Sequence, residues 1–490
     1  MKILNNKYLL LSMSLLVFTA CIEDQEDAVP YSEQFVEITS GDADFSSYVA
    51  MGGGITAGMT DNSLFMAGQM GSYPNIMASV MSQAIENQSG NTFSQPYVDD
   101  NVGGINVGGN QFWGPRFFFD GAGPAQVSGT ISTEATNVVP GPYSNLAFPF
   151  ANAIVNVAPG FGSLEGLAAG LANPWYVRAA SSNGATILGD ALMQQPTFVT
   201  LVPGNDFAGY TLFGASDFTP PLELDGPTGM LAGVVGTIQA LSSSVPNGVI
   251  TTLPDPTVSA TFTTIPWNAI PLDAATAGLL NAQLAGPYNG GLATAQAFGL
   301  ISAEEVALRT LNAVEGDNGA LINDEDLTDL SALGLPSIRL TNENDRISLF
   351  AAQSIGTVPD PTNQLGIIGV TIPLPDAVIL TATEIDEIQT KLATANAAIS
   401  ASVPSGWALF DLHGLFNEVV TTGLQVDGYT MTGDLVFGGF FSLDGFHPTT
   451  RGSAAIAKRM MEAIDATWGS NLSESGLEIG DYPTNYPASM

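Results

Sequence analysis

Four short apolar runs separated by long, helix-patterned or turn-rich stretches constrain the fold of this 490-residue chain more than any other feature. "YVAM" at 48–51, "TFVTLV" at 197–202, "GVITTL" at 248–253 and "WALFDL" at 407–412 are each bounded by Gly, Pro or Asn, and their continuous apolar character is that of strands covered on both faces. Helical periodicity fills the intervals. Tyr73, Ile76, Met77, Val80 and Met81 share one face, as do Ile385, Ile388, Leu392 and Ile399, and Ile456, Met460 and Ile464. Thr381 and Glu384 form a capping pair at the start of the second of these helices. Strand alternating with helix predicts an α/β chain, a three-layer α/β/α sandwich around a parallel sheet. The stretches 92–142 and 254–380, rich in Gly, Pro, Asn and Thr, are expected as insertions with helical patches such as "SAEEVALRTL" at 302–311.

In open sheets of this kind ligands bind beyond the carboxyl ends of the strands, which directs attention to Gly52–Thr56 and Pro203–Phe207. The first of these, "YVAMGGGITAG" at 48–58, has the outline of a strand entering a tight turn that presents a nucleophile. Gly54 stands at its tip, without a side chain.

Composition limits the partners. Eleven basic residues against 47 acidic ones give a net charge of −36, too few cations to neutralise a nucleic acid. The single cysteine, Cys21, leaves the rest of the chain without disulfides or thiolate metal ligands. Lys2, Lys7 and the apolar run Tyr8–Phe18 read as an export signal. "FTAC" at 18–21 resembles a lipobox, with Phe18 in an unusual place, so Cys21 is the expected site of acylation. Residues 21–45 begin with the acidic "IEDQEDAVPYSEQ" and are expected to be a tether, similar to surface-export signals of some Gram-negative groups. The expected localisation is an exported lipoprotein, membrane-anchored through Cys21, at the outer membrane or cell surface. The acidic run "NDEDLTD" at 323–329 lacks the Gly and ligand spacing of an EF-hand, and is read as a solvated helix N-terminus with no metal. No cofactor is expected.

Near the C-terminus, "FSLDGFHPTTRGSAAIAKRM" places Asp444 three residues before His447, just ahead of a helix. A carboxylate at that spacing can fix one imidazole nitrogen and raise the basicity of the other. On spacing alone, a capping or surface histidine is the competing reading. The other histidine, His413 in "FDLHGLF", reads as a packed one.

These segments together resemble the SGNH (GDSL) hydrolase family. "YVAMGGGITAG" resembles block I, with Gly53 and Gly54 in place of Asp and the nucleophilic Ser. "YSNLAFPFANA" at 143–153 resembles block II, with Phe150 where the family has its oxyanion-hole Gly. "VPGNDF" at 202–207 is similar to the GxND of block III, keeping Asn205 and Asp206 with Pro203 at the Gly, and "LDGFHPT" at 443–449 matches the DxxH of block V. "GGGITAGMTDNSLFMAGQMGSYPNIMA" and "FSLDGFHPTTRG" look like a surface-lipoprotein subgroup of that family in Gram-negative bacteria. The resemblance places the family-like domain at 46–469, with a tail at 470–490, and implies a flavodoxin-like sheet.

What the resemblance implies for chemistry is ester hydrolysis. The family's Ser attacks an acyl carbon, His447 would accept its proton, and Asp444 would orient that His. The N–H groups at Gly54 and Phe150 and the side chain of Asn205 would form the oxyanion hole. With the Ser replaced by Gly54, hydrolysis is expected to be lost or impaired, leaving a protein that binds a small ester, lipid or acylated glycan. The alternative is an active hydrolase in which His447 and Asp444 use a water or another nucleophile. Thr56 is expected to point away from the Gly54 side, Ser46 and Ser47 precede the strand, and the ring of Phe150 is expected to strain the turn or fill the pocket.

If Cys21 is the acylated residue, metabolic labelling with a fatty acid marks the parent protein and not Cys21→Ser. Equal label in both refutes the anchor.

Overall fold

A computed structural model of the protein describes residues 36–85, 92–204, 206–215, 222–226 and 229–490; Cys21 and the rest of the leader lie outside them. The four apolar runs form strands β1 (Tyr48–Gly52), β3 (Phe198–Leu201), β4 (Asn247–Thr251) and β5 (Ala408–Phe410) of one parallel sheet. A fifth strand, β2 (Asn145–Ala147), pairs with the outer side of β1. Its three residues are too short to show a period in the sequence, so it did not stand out there as a strand. The order is β5-β4-β3-β1-β2, the arrangement of flavodoxin-like sheets.

Alternation along the strands divides the core. Val49, Met51, Val199, Leu201 and Ile250 face one hydrophobic layer, and Tyr48, Ala50, Phe198 and Val249 the other. On the first face lie helices α2 (Met230–Ser242) and α3 (Ala382–Ala401), through Val234, Ile238, Ile388, Leu392 and Ile399. On the second lie α1 (Tyr73–Met81), α4 (Leu412–Thr421) and α5 (Thr450–Trp468), through Ile76, Met77, Phe416, Ile456, Met460 and Ile464. The result is a sheet covered by helices on both faces. The capping pair forms as expected. Thr381 Oγ1 accepts from Glu384 N, and Glu384 Oε2 accepts from Thr381 N at 2.6 Å, so α3 begins with a reciprocal cap.

The insertions carry short antiparallel ribbons, among them 105–107 with 110–113, 117–119 with 124–126 and 321–323 with 338–340. Two separate apolar clusters sit within 265–379, one around Tyr288, Leu292 and Ile338 and the other around Ile322, Ile347 and Leu374. "SAEEVALRTL" contains a helix, Ala303–Arg309. "NDEDLTD" does not begin one. It leaves the strand Leu321–Asn323 into a turn, because Asp324 is drawn inward to Arg339 rather than lying on a solvated cap.

The segments flanking 46–469 pack onto the body. Ile38, Ala43 and Phe45 are buried, as are Leu472 and Ile479, and Arg116 Nη2 donates to the Pro487 carbonyl at 2.6 Å. No helix among the described residues is long and apolar enough to cross a membrane.

Arg339 holds the second insertion together. It bridges Asp345 through paired bonds of 2.6 and 2.8 Å and also bonds Asp324, all three side chains being buried. Removing one member of such a group leaves uncompensated buried charge, a loss of about 3–5 kcal/mol. Arg339→Ala is therefore expected to melt the insertion early in a denaturant titration. The emission of Trp267, whose carbonyl accepts from Thr341 Oγ1 at 2.6 Å, reports that step.

Candidate functional site

The site forms where the sheet order reverses. The chain leaves β1 towards β2 on one side and returns to β3 on the other, so the loops after β1 and β3 diverge and leave a crevice at their carboxyl ends. Gly53, Gly54 and Ile55 after β1 form one wall of a recess there, and Val202 and Gly204 after β3 another. Phe207, Leu253, Pro254, Pro256 and Phe446 close it. The lining is apolar and the cavity volume is about 20 Å³, room for a single water, within an open-mouthed cleft of about 370 Å³.

His447, on the loop that precedes α5, stands against Gly54, which lines the recess, but is not itself part of the lining. Its Nδ1 is 3.0 Å from Asp444 Oδ2, and both side chains are buried. The carboxylate is saturated with donors: Oδ2 also accepts from Asn62 N at 2.9 Å, and Oδ1 accepts from Phe446 N and His447 N, each at 2.8 Å. Burial alone would raise the Asp444 carboxyl, but the His447 ring and these hydrogen bonds hold it below the usual carboxylate range. Such a carboxylate fixes the proton on Nδ1 and leaves Nε2 as the basic nitrogen. Thr449 caps α5 by accepting from Gly452 N at 2.9 Å, so the Asp–His loop enters a rigid helix.

Nε2 faces Gly54. A β-carbon built on Gly54 would lie 2.4 Å from Nε2 and 3.1 Å from Cδ2, so the imidazole occupies the space a side chain at this position would need. Gly54 opens a single helical turn, Gly54–Ala57, whose first N–H groups have no partner within it. Thr56 turns away, as expected. Its hydroxyl bonds Tyr73 OH at 3.2 Å beneath the sheet end, and Ser46 and Ser47 stand at the opposite end of β1. His413 is half-buried on α4 and bonds Asn417 at 2.9 Å, outside the recess.

Phe150 corrects one expectation and meets another. Its φ is +61°, the left-handed conformation that glycine adopts freely and that costs other residues about 1–2 kcal/mol. The ring, however, does not enter the recess. It packs on Trp113 and Trp175, with centroids at 4.9 and 5.6 Å, and this aromatic cluster offsets the strain. The 148–150 turn starts beside β1, where Phe148 N donates to the Gly52 carbonyl at 3.2 Å.

Asn205 lies outside the described residues. Its neighbours are fixed on both sides. Asp206 Oδ2 accepts from Ala153 N at 3.0 Å, tying the loop after β3 to the segment after β2, and burial pushes its carboxyl up to about 6. Gly204, at φ +60°, passes so close to that carboxylate that a β-carbon would stand 2.3 Å from Oδ2. The glycine that the loop requires is thus Gly204, and Pro203 precedes it.

Sequence reasoning missed Asp61 and Asn62. Both adopt left-handed φ, 51° and 62°, which Asp and Asn tolerate better than most residues. Asn62 supplies a donor to Asp444, and Asp61 Oδ1 accepts from Leu443 N at 3.1 Å, so this turn buttresses the Asp–His loop. The Asp–Asn pair in "MTDNS" was the available signal. Asp61 Oδ2 is buried without a partner, and burial, with Asp444 adding to it, raises this carboxyl to about 7 against the pull of the Leu443 N–H and Arg116. Comparison with family models, curated proteins and solved structures finds no match.

A buried acid raised from 3.8 to about 7 favours the folded state in its protonated form. Between about pH 4 and pH 7 the native protein then holds a proton that the unfolded chain has released, so stability falls as pH rises through this window, by up to ~1.4 kcal/mol per pH unit for each such group. Asp61→Asn is expected to flatten that fall, as read from unfolding midpoints across the range. An unchanged slope would place the Asp61 carboxyl at an ordinary pKa.

Proposed function

We propose that the protein is a non-hydrolytic member of the SGNH group that keeps a buried Asp444–His447 couple at a recess for an acyl or ester group, and that it serves as a binding protein. The observation that carries this reading is the position of Nε2 against Gly54. In an acyl-transfer site the base stands one hydrogen bond from the side-chain oxygen that attacks, and here the imidazole itself fills the space that such a side chain would need. The apolar lining of the recess suits an acyl chain end or small ester rather than a charged group. The left-handed turn at Phe150 is the backbone course that the family reaches with glycine, and its retention supports descent from an oxyanion-binding site. Display on a membrane through Cys21, at the outer membrane or cell surface, belongs to the same reading. Nothing in the charge balance favours nucleic acid as a partner.

A second reading has its own observation. The recess has room for one water on the far side of Gly54 from an imidazole oriented by Asp444, and a water that moved next to Nε2 would meet the requirement for slow, base-assisted hydrolysis. Its ceiling is low, since losing the nucleophile of a triad costs on the order of a millionfold in turnover and leaves ~10³–10⁴ over water.

Short- and long-chain p-nitrophenyl esters separate the two. The protein lacking residues 1–21 is expected to show no turnover above background and no labelling by a fluorophosphonate. Gly54→Ser is expected to gain labelling at the new serine once the imidazole yields about 1 Å, a misplacement that holds the rate ~100-fold below an aligned site. Adding Phe150→Gly is expected to contribute little, because the Phe150 ring is already outside the recess. Robust ester turnover by the parent, abolished by His447→Ala, establishes the hydrolase instead.

A further inference from the structure

Away from the recess, three carboxylates from separate elements meet where the second insertion joins α3. Glu325 comes from the turn after the strand Leu321–Asn323, Asp376 from the turn Asp376–Val378, and Glu384 from the first turn of α3. One oxygen of each lies within 4.8 Å of one oxygen of both others. Acidic groups often crowd on a surface as charged as this one, so proximity alone assigns nothing. Glu384 supplies the second observation. It is 8% exposed, its Oε2 is committed to the Thr381 N–H and hydroxyl, and its Oε1 is buried with no hydrogen-bond partner. Leaving a buried carboxylate oxygen unpaired is destabilising unless something positive takes the place of the missing donor.

We propose that Glu325, Asp376 and Glu384 bind a divalent cation of the calcium type, with Glu384 Oε1 as the buried ligand. Three oxygens and no nitrogen or sulfur make a hard-ligand site, which excludes the metals that prefer imidazole or thiolate. Coordination habit then favours Ca²⁺, which takes six to eight oxygens in adaptable geometry at about 2.3–2.6 Å and so suits carboxylates brought together from three separate elements, whereas Mg²⁺ demands a near-ideal octahedron at about 2.1 Å. Glu325 is exposed and Glu384 is buried, so the site opens to solvent on one side, where water can complete the coordination. The α3 dipole opposes a cation with roughly half a positive charge, and three carboxylates outweigh it. Glu325 and Asp376 crowd Glu384 with like charge, a repulsion that a cation relieves. Bound there, the ion fastens the insertion to the first turn of α3.

The test uses the chain from residue 22 onward, stripped with a chelator and titrated with CaCl₂ or MgCl₂ in a calorimeter and a thermal melt. One site is expected, with a Kd for Ca²⁺ on the order of 10⁻⁴–10⁻³ M, weaker binding of Mg²⁺, and a rise in Tm of roughly 2–5 °C near saturation. Glu384→Gln is expected to lose at least tenfold in Ca²⁺ affinity and to lose the Tm shift, while Gln can keep the cap. Glu325→Gln with Asp376→Asn repeats the test if that buried variant does not fold. The pair Glu315→Gln with Asp360→Asn, exposed acids elsewhere, removes the same charge and is expected to bind like the parent. No Ca²⁺-dependent heat or Tm shift in the folded parent overturns the proposal. So does equal binding by the parent and the ligand variants, which would assign the ion to the diffuse acidic surface.

Discussion

The carboxylate of Asp444 is the interaction on which the rest of the candidate site depends. It accepts from two N–H groups of its own loop, from the Asn62 N–H of the loop after β1, and from the ring of His447. Each bond serves a different end. The two local bonds shape the turn that leads into α5, the Asn62 bond joins that turn to the first strand's loop, and the ring bond aims Nε2 at Gly54. A buried carboxylate with fewer donors and no such partner has its pKa raised by desolvation, as Asp61 does. The contrast between these two acids, both nearly inaccessible, comes from the His447 ring and the larger number of donors at Asp444, and from the like charge of Asp444 at Asp61.

Much of the architecture was legible because it rests on burial. A strand covered on both faces must be apolar along its whole length, and four of the five strands were found that way. The fifth is three residues long and carries Asn145, which spends its side chain on the Thr56 carbonyl and on Gln95 rather than on a core. The helices with buried faces were equally visible, down to the Thr381–Glu384 cap. What failed was the acidic run at 323–329. Charge pattern alone placed it on a solvated helix end, but Arg339, 15 residues on from Asp324 and on the strand paired with Leu321–Asn323, draws Asp324 inward, a pairing set by the hairpin and not by the local charge pattern.

Within the site, the pieces nearest in sequence were the easiest to read. Asp444 and His447 are three apart and pair as their spacing indicated. Asp61 and Asn62 act across more than 380 residues of chain, on Asp444 and Leu443, and only their turn-forming identity was on display. The direction of the Phe150 ring was beyond reach for the same reason: it is set by Trp113 of the strand Asn110–Trp113 and Trp175 of the helix Pro174–Ala179, both distant in sequence.

Phe150 also shows how the loops around the candidate site keep their course. A left-handed aromatic residue is stable only if its surroundings over-determine the backbone, and here the turn is bracketed by the Gly52–Phe148 bond on one side and by Asp206 holding Ala153 on the other. The loop is therefore shaped by its flanks, and the identity of residue 150 could change without changing its course. At Gly54 the constraint comes from a side chain instead. The imidazole, held at Nδ1 by Asp444, sets Nε2 where a β-carbon on residue 54 would stand 2.4 Å away, so a glycine fits there and a larger residue requires the ring to shift.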